Sequence, residues 1–172
     1  MEPDSFIIWA AGFFDGEGGV TIPGPPSYGL HVAITGTHRP TLEKEFAQRY
    51  PGTLGICAKK GRPIGKSGYS VRQTCYSFTF TFWGAREFLP LILPYLRVRR
   101  EEAQLALDYI SSVLSLASLR GGFGTGSGRR LTGIERAVRR QFYLRLKTLR
   151  DSSPPPPVEP QPELLPTQEK LL

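Results

Sequence analysis

Apolar and polar positions along the chain change period several times, and each change marks an element. The run WAAGFF, Trp9 to Phe14, is apolar and helix-like; Asp4 or Ser5 can cap a first helix that runs to about Asp15. Val20 and Ile22 then alternate with Thr21, which predicts a strand over Gly19–Pro23. PGPPSYG, Pro23 to Gly29, reads as a turn. Leu30, Val32 and Ile34 alternate with His31, Ala33 and Thr35, a second strand that closes a hairpin. Gly36 to Arg39 is a loop, and Pro40 opens a helix that ends near Tyr50, before Pro51. Thr53–Lys60 is a third strand and Gly61–Tyr69 a basic hairpin loop. Ser70–Phe82 is expected to be the longest strand, with Tyr76, Phe78, Phe80 and Phe82 on one face and Ser77, Thr79 and Thr81 on the other. Helices follow from about Ala85 to a break at Pro94, and from about Arg99 to Leu116. Arg120–Arg130 is a glycine-rich linker. Thr132 and Glu135 form a T-x-x-E capping box that opens a last helix, Gly133 to about Leu149, rich in arginine.

This order, αββαββα plus trailing helices, predicts an α+β fold in which one antiparallel sheet has an apolar face covered by helices and a polar face left open. The domain spans residues 1–151. Residues 152–172 are proline-rich and acidic and are expected to be a disordered tail.

Charge adds a partner. The 172 residues carry a net +7; residues 151–172 sum to −3 and leave +10 for residues 1–150. A domain that basic attracts polyanions, nucleic acid first. The two cysteines, Cys57 and Cys75, form neither a disulfide framework nor a zinc pattern and are expected to be reduced, buried thiols of an intracellular protein. Glu2 and Asp4 have the wrong sign for a signal peptide, and the longest apolar run, Phe88 to Leu93, is too short to span a bilayer. The expected location is therefore intracellular, a bacterial cytoplasm or an organelle, with no membrane partner.

Asp15 and Glu17 stand among glycines at the exit of the first helix. A helix C-terminus carries partial negative charge, so acids there are mildly destabilising. Gly16 and Gly18 account for the stop but not for the acids. Two readings stay open: a glycine cap with exposed acids, or carboxylates gathered for a hard divalent cation. Trp9, Gly12 and Phe13 share one face of the same helix, with Ala10 and Ala11 beside them. A glycine there costs about 1 kcal/mol against alanine, a cost that makes sense if another backbone comes close.

AAGFFDGEG, Ala10 to Gly18, resembles the LAGLIDADG motif of homing endonucleases. LPYLRVRREEAQLAL (Leu93 to Leu107), FYLRLKTLRD (Phe142 to Asp151) and the element order resemble the single-motif members, so the likeness covers roughly residues 5–151. The resemblance implies an αββαββα endonuclease fold whose sheet saddles DNA, with helices on the other face. It implies a homodimer, joined through Trp9, Gly12 and Phe13, acting on a long, nearly palindromic double-stranded site. Glu17 matches the metal-ligating acid, the Gly16 carbonyl a backbone ligand, and Asp15 the more structural motif acid. Arg99 falls where a basic residue lies near the scissile phosphate. A polar residue that orients water is expected at Thr37 or His38. The implied cofactor is Mg²⁺, or Mn²⁺, with Ca²⁺ expected to bind without supporting cleavage. The implied reaction is hydrolysis to a double-strand break with short 3′ overhangs.

For DNA reading, Thr21, His31, Thr35 and Gln73 are outward strand positions, and Lys59, Lys60, Arg62, Lys66 and Arg72 cluster around the third and fourth strands. Each basic residue has the plain alternative of being a solvated side chain. GRPIGKS has a spacer one residue short for a phosphate-binding loop, and a calcium loop starting at Asp15 would end on Pro26. Two rivals use the same fold: an RNA maturase that binds its intron, and a DNA-binding regulator without cleavage.

Overall fold

The computed structural model describes residues 4–61, 72–119 and 131–152. Asp4 starts helix α1 (Ser5–Glu17): its carboxylate accepts from the Phe6 amide at 3.0 Å, one of the amides that the helix itself cannot satisfy. α1 runs directly into strand β1 (Gly18–Thr21), which pairs with β2 (His31–Gly36). The short helix α2 (Arg39–Leu42) widens into a π-helical turn over Glu43–Ala47 and leads to β3 (Gly52–Ala58) and β4 (Cys75–Phe80). Helix α3 (Phe82–Ile92), a 3-10 turn at Leu93–Tyr95, and helices α4 (Arg100–Ser118) and α5 (Gly133–Ser152) complete the order. The four strands form one antiparallel sheet in the order β1-β2-β4-β3. The α+β architecture expected from the pattern is the one observed.

Alternation sorts the faces of this sheet. Val20, Val32, Ile34, Phe78 and Phe80 are buried, in one core with Ala10, Ala11 and Phe14 of α1, Phe88 and Leu89 of α3, and Ala103 and Ala106 of α4. Phe46 sits among the aromatics, with ring centroids 5.8 to 6.4 Å from those of Trp9, Phe13, Phe78, Phe80 and Phe88. The opposite parity carries Thr21, His31, Ala33, Thr35, Thr53, Gly55, Ser77 and Thr79, small or polar residues of which none is buried. A sheet with one apolar and one polar face needs helices on one side only.

Several boundaries differ from the expected ones for identifiable reasons. β4 ends at Phe80, and Phe82 belongs to α3 rather than to the strand. Thr81 makes the break: its hydroxyl accepts from the Gly84 amide at 3.1 Å as a helix cap, while its own amide and hydroxyl both donate to the Pro51 carbonyl, at 3.0 and 3.2 Å. The aromatic alternation continues past the point where strand pairing stops. Arg72 to Thr74 also lie outside the strand. α1 continues to Glu17, and Gly18 is extended (φ −84°, ψ 168°) instead of forming a left-handed cap. Glycine is needed there for space, because a Cβ would strike the Phe14 ring and carbonyl. Cys57 is exposed, not buried, since β3 is an edge strand; Cys75 is half-buried, and both thiols are free. The capping box forms as expected, with Thr132 N to Glu135 Oε2 at 2.9 Å and Glu135 N to Thr132 Oγ1 at 3.3 Å. Most of the basic hairpin loop, the glycine-rich linker and residues 153–172 of the expected tail lie outside the described residues. Among those described, no helix is long and apolar enough to cross a membrane.

Gly84 lies against the Pro51 backbone, where a Cβ would meet the carbonyl oxygen. Gly84→Ala is expected to cost about 2–3 kcal/mol through this overlap, read as a lower midpoint in urea unfolding; an unchanged midpoint would show that the contact is slack.

Candidate active site

The exit of α1 is where the structure gathers most of the chemistry expected from the sequence. Asp15 is half-buried, and its two carboxylate oxygens accept three backbone amides: Arg97 N at 2.8 Å, Val98 N at 3.2 Å and Arg99 N at 2.9 Å. Arg99 is the N-cap residue of α4 and has no side-chain cap of its own. Asp15 therefore does the work of a cap from 84 residues away in the chain. It also places its negative charge where the positive end of the α4 dipole favours it.

Glu17, two residues on, is exposed, and among the described residues its carboxylate has no hydrogen-bond or ion-pair partner. Its backbone carbonyl accepts from the Thr35 hydroxyl at 3.1 Å, which fastens the end of β2 to the end of α1. Thr35 thus spends its hydroxyl on the scaffold. Gly16 is exposed too, with open space where a Cβ would stand. Thr37 and His38 follow β2 and are exposed; the His38 Nδ1 lies 2.7 Å from Thr41 Oγ1. The last turn of α1 thus has Asp15 bound into the fold and Glu17 free. Among the described residues no three His, Cys, Asp or Glu side chains cluster as a metal site. A single exposed carboxylate and helix-end carbonyls are hard oxygen donors, the type that Mg²⁺ takes along with water and phosphate oxygens.

Arg99 is brought to this exit by the Asp15 bond. Its Nη1 lies 3.4 Å from Glu102 Oε2, and its Nε is buried with no acceptor. Glu102 also pairs through Oε1 with Arg150 Nε at 3.5 Å. The Arg150 guanidinium donates to the Val20 carbonyl. Glu102 and Arg150 were not foreseen. Glu102 had a local signal, three residues after Arg99 on a helix; Arg150 had none, because its partners come from β1 and α4.

On the open sheet face, Thr21 and His31 stand opposite each other across β1 and β2. Both also line a cavity of about 520 Å³ with Tyr143, Lys147 and Arg150 of α5. Lys59, Lys60, Arg72 and Gln73 are exposed and meet at one end of the sheet, where Lys60 N donates to Thr74 Oγ1 at 3.3 Å. Arg62 and Lys66 lie outside the described residues. Thr53, Ser77 and Thr79 share the open face and were not among the expected DNA contacts.

One stripe of α1 faces away from the core. Ile8 and Trp9 are 46% and 41% exposed, and Gly12 and Gly16 continue the stripe with open space beside them. Gly12 also lines a groove with Ile8, Pro94, Tyr95 and Arg97. Phe13 is turned inward, stacked on Trp9 at 5.2 Å and on Phe46 at 5.9 Å.

No family model matches the chain, and no curated protein matches it. Solved structures do. Two are complexes of the homing endonuclease I-CvuI. One holds the I-CreI target in the presence of Mg, at 22% identity and a TM-score of 0.39 over 82% of this chain and 94% of that one. The other holds its own target in the presence of Ca, at 21% identity and a TM-score of 0.41 over 83% and 93%. A third is the archaeal intron-encoded homing endonuclease I-Vdi141I complexed with DNA, at 13% identity and a TM-score of 0.43 over 80% and 96%. All are homing endonucleases, the class that the motif in α1 resembles.

Asp15→Asn replaces one accepting oxygen with a donor that faces a backbone amide. The expected loss is about 2 kcal/mol, or roughly 4–8 °C in Tm, measured by thermal unfolding; an unchanged Tm would mean that the three bonds contribute nothing.

Proposed function

We propose that the chain is a LAGLIDADG-type homing endonuclease. In this reading it hydrolyses both strands of a long, nearly palindromic DNA site as a Mg²⁺-dependent homodimer and leaves short 3′ overhangs. One observation carries the reading: of two acids in the last turn of α1, one is committed to three backbone amides and the other is exposed, with no partner among the described residues. An acid that serves only stability has no reason to stand unpaired at the negative end of a helix.

Hydrolysis of a phosphodiester needs a water aimed at phosphorus, neutralisation of the phosphate oxygens and stabilisation of the leaving oxygen. A bound Mg²⁺ would supply Lewis acidity and an activated water. Glu17, with the Gly16 carbonyl, is the group of this chain that would hold it. Arg99, fixed beside the same turn, would offset the negative charge that develops on the phosphate. Thr37 or His38 would orient water from the loop after β2. Thr21, His31, Gln73, Lys59, Lys60 and Arg72 would meet bases and phosphates along the open face, helped by the +10 charge of residues 1–150.

One protomer offers too few ligands for the metal, so the reading calls for a second copy. The exposed stripe of α1 is suited to it. Gly12 carries the helix cost of glycine, about 1 kcal/mol, and a Cβ added there would stand in open space. Two such stripes can pack closely and bring two copies of Glu17 together on a two-fold axis.

Glu17→Gln should bind DNA like wild type and lose cleavage by at least about 100-fold, equivalent to roughly 3 kcal/mol of charge stabilisation. The measurement is Mg²⁺-dependent cutting and binding across a library of candidate sites. Cutting by the variant at the wild-type rate would remove Glu17 from the chemistry. If neither protein cuts any site while both bind structured intron RNA, the maturase reading replaces this one. Gly12→Leu should stay folded and raise the dimer Kd by at least about 100-fold, some 2.7 kcal/mol of steric mismatch. Sedimentation velocity reads this, and an unchanged dimer would place the contact elsewhere.

A further inference from the structure

We propose that Glu102 is a positioning residue for Arg99: it holds the Arg99 guanidinium beside the exit of α1 through a carboxylate shared with Arg150. The catalytic part of this proposal rests on the nuclease reading; the holding of Arg99 does not.

Arg99 is gripped at two points. Its backbone amide donates to Asp15 at 2.9 Å, and its Nη1 lies 3.4 Å from Glu102 Oε2. The Glu102 side chain is only 16% exposed, so water competes little for its oxygens. It stands in the first turn of α4, where the helix dipole favours a negative charge. The second carboxylate oxygen is occupied by Arg150 Nε at 3.5 Å, and Arg150 is tied in turn to the Val20 carbonyl of β1. Glu102 therefore cannot swing away from Arg99 without abandoning a second arginine.

The charge count of this cluster matters. Two guanidiniums share the Glu102 carboxylate, so these three side chains sum to +1, and the Asp15 carboxylate at the Arg99 amide offsets that charge. Arg99 Nε is buried without an acceptor, and Nη1 faces Glu102. The Nη2 group has no partner among the described residues and is not among the buried unpaired atoms. A guanidinium held by one edge with another nitrogen free is prepared to meet a phosphate oxygen without first losing side-chain freedom. The same bonds join the start of α4, the end of α5 and the edge of the open sheet face.

The test combines two measurements on the full chain. Side-chain ¹⁵N–¹H spectra follow the arginine Nε protons, with Arg99 assigned by its disappearance in Arg99→Gln. Single-turnover cleavage at saturating protein compares wild type, Glu102→Gln, Arg99→Gln and the double variant, on a site that wild type cuts. The Arg99 Nε proton should exchange slowly in wild type and at least about 10-fold faster in Glu102→Gln. Cleavage by Glu102→Gln should fall about 10- to 100-fold, with DNA Kd within about 3-fold of wild type. The substitution should add no further loss once Arg99 is gone. Arg150→Gln should give a weaker form of the same pattern and serves if Glu102→Gln does not stay folded.

Unchanged exchange at Arg99 in Glu102→Gln overturns the proposal. So does an equal loss of cleavage with and without Arg99, which would mark Glu102 as a general support of the fold. Wild-type cleavage by Arg99→Gln, or failure of the wild type to cut any candidate site, overturns the catalytic part and the assignment of Arg99 on which it rests. The exchange result still decides whether Glu102 holds the arginine.

Discussion

A carboxylate at the end of one helix binds three amides at the start of another, and the geometry of the whole site follows from that contact. Asp15 has nothing to gain from its own helix, whose C-terminus repels it. Against residues 97–99 it becomes favourable, because it meets amides with no helical partner and the positive end of α4. The contact sets where α4 begins. It thereby sets where Arg99 stands and which way Glu102 points. With Asp15 bound in this way, Glu17 is left as the acid of the pair with no partner among the described residues.

The sheet imposes the second constraint. Burying Val20, Val32, Ile34, Phe78 and Phe80 against α1, α3 and α4 turns every alternate residue outward. The outward set is small and polar, and basic residues stand at the β3–β4 end and along α5. Thr35 belongs to both constraints. It lies on the outward parity, yet its hydroxyl bonds the Glu17 carbonyl, so the sheet and the last turn of α1 are joined by the same residue. Charge follows the same division: the buried core holds no charged side chain among the described residues, and the arginines gather where helices end on the sheet edge.

Much of this was legible from the chain itself. Period-2 and period-3.6 patterns located the strands and helices because burial of one face imposes those periods. Thr132 and Glu135 announced their capping box because its partners are three residues apart. The apolar run ending in Asp15 and Glu17 pointed to an unusual helix exit from local electrostatics alone. Where partners are distant, the pattern misled or was silent. The aromatic alternation carried the fourth strand through Phe82, but the Pro51 carbonyl, thirty residues away, turns the chain at Thr81. The thiol of Cys57 was expected inside, but position at the sheet edge leaves it exposed.

The sequence by itself determined the order of elements, the two faces of the sheet, the basic balance and the pair of acids at the end of α1. All of these depend on spacing within a few residues. Only the tertiary structure decided what Asp15 binds, the amides of residues 97–99, and that Arg99 and Arg150 share the Glu102 carboxylate. Those outcomes depend on carboxylates meeting amides and guanidiniums from remote segments. Such bonds are strong only once the chain has folded and drawn water away from them.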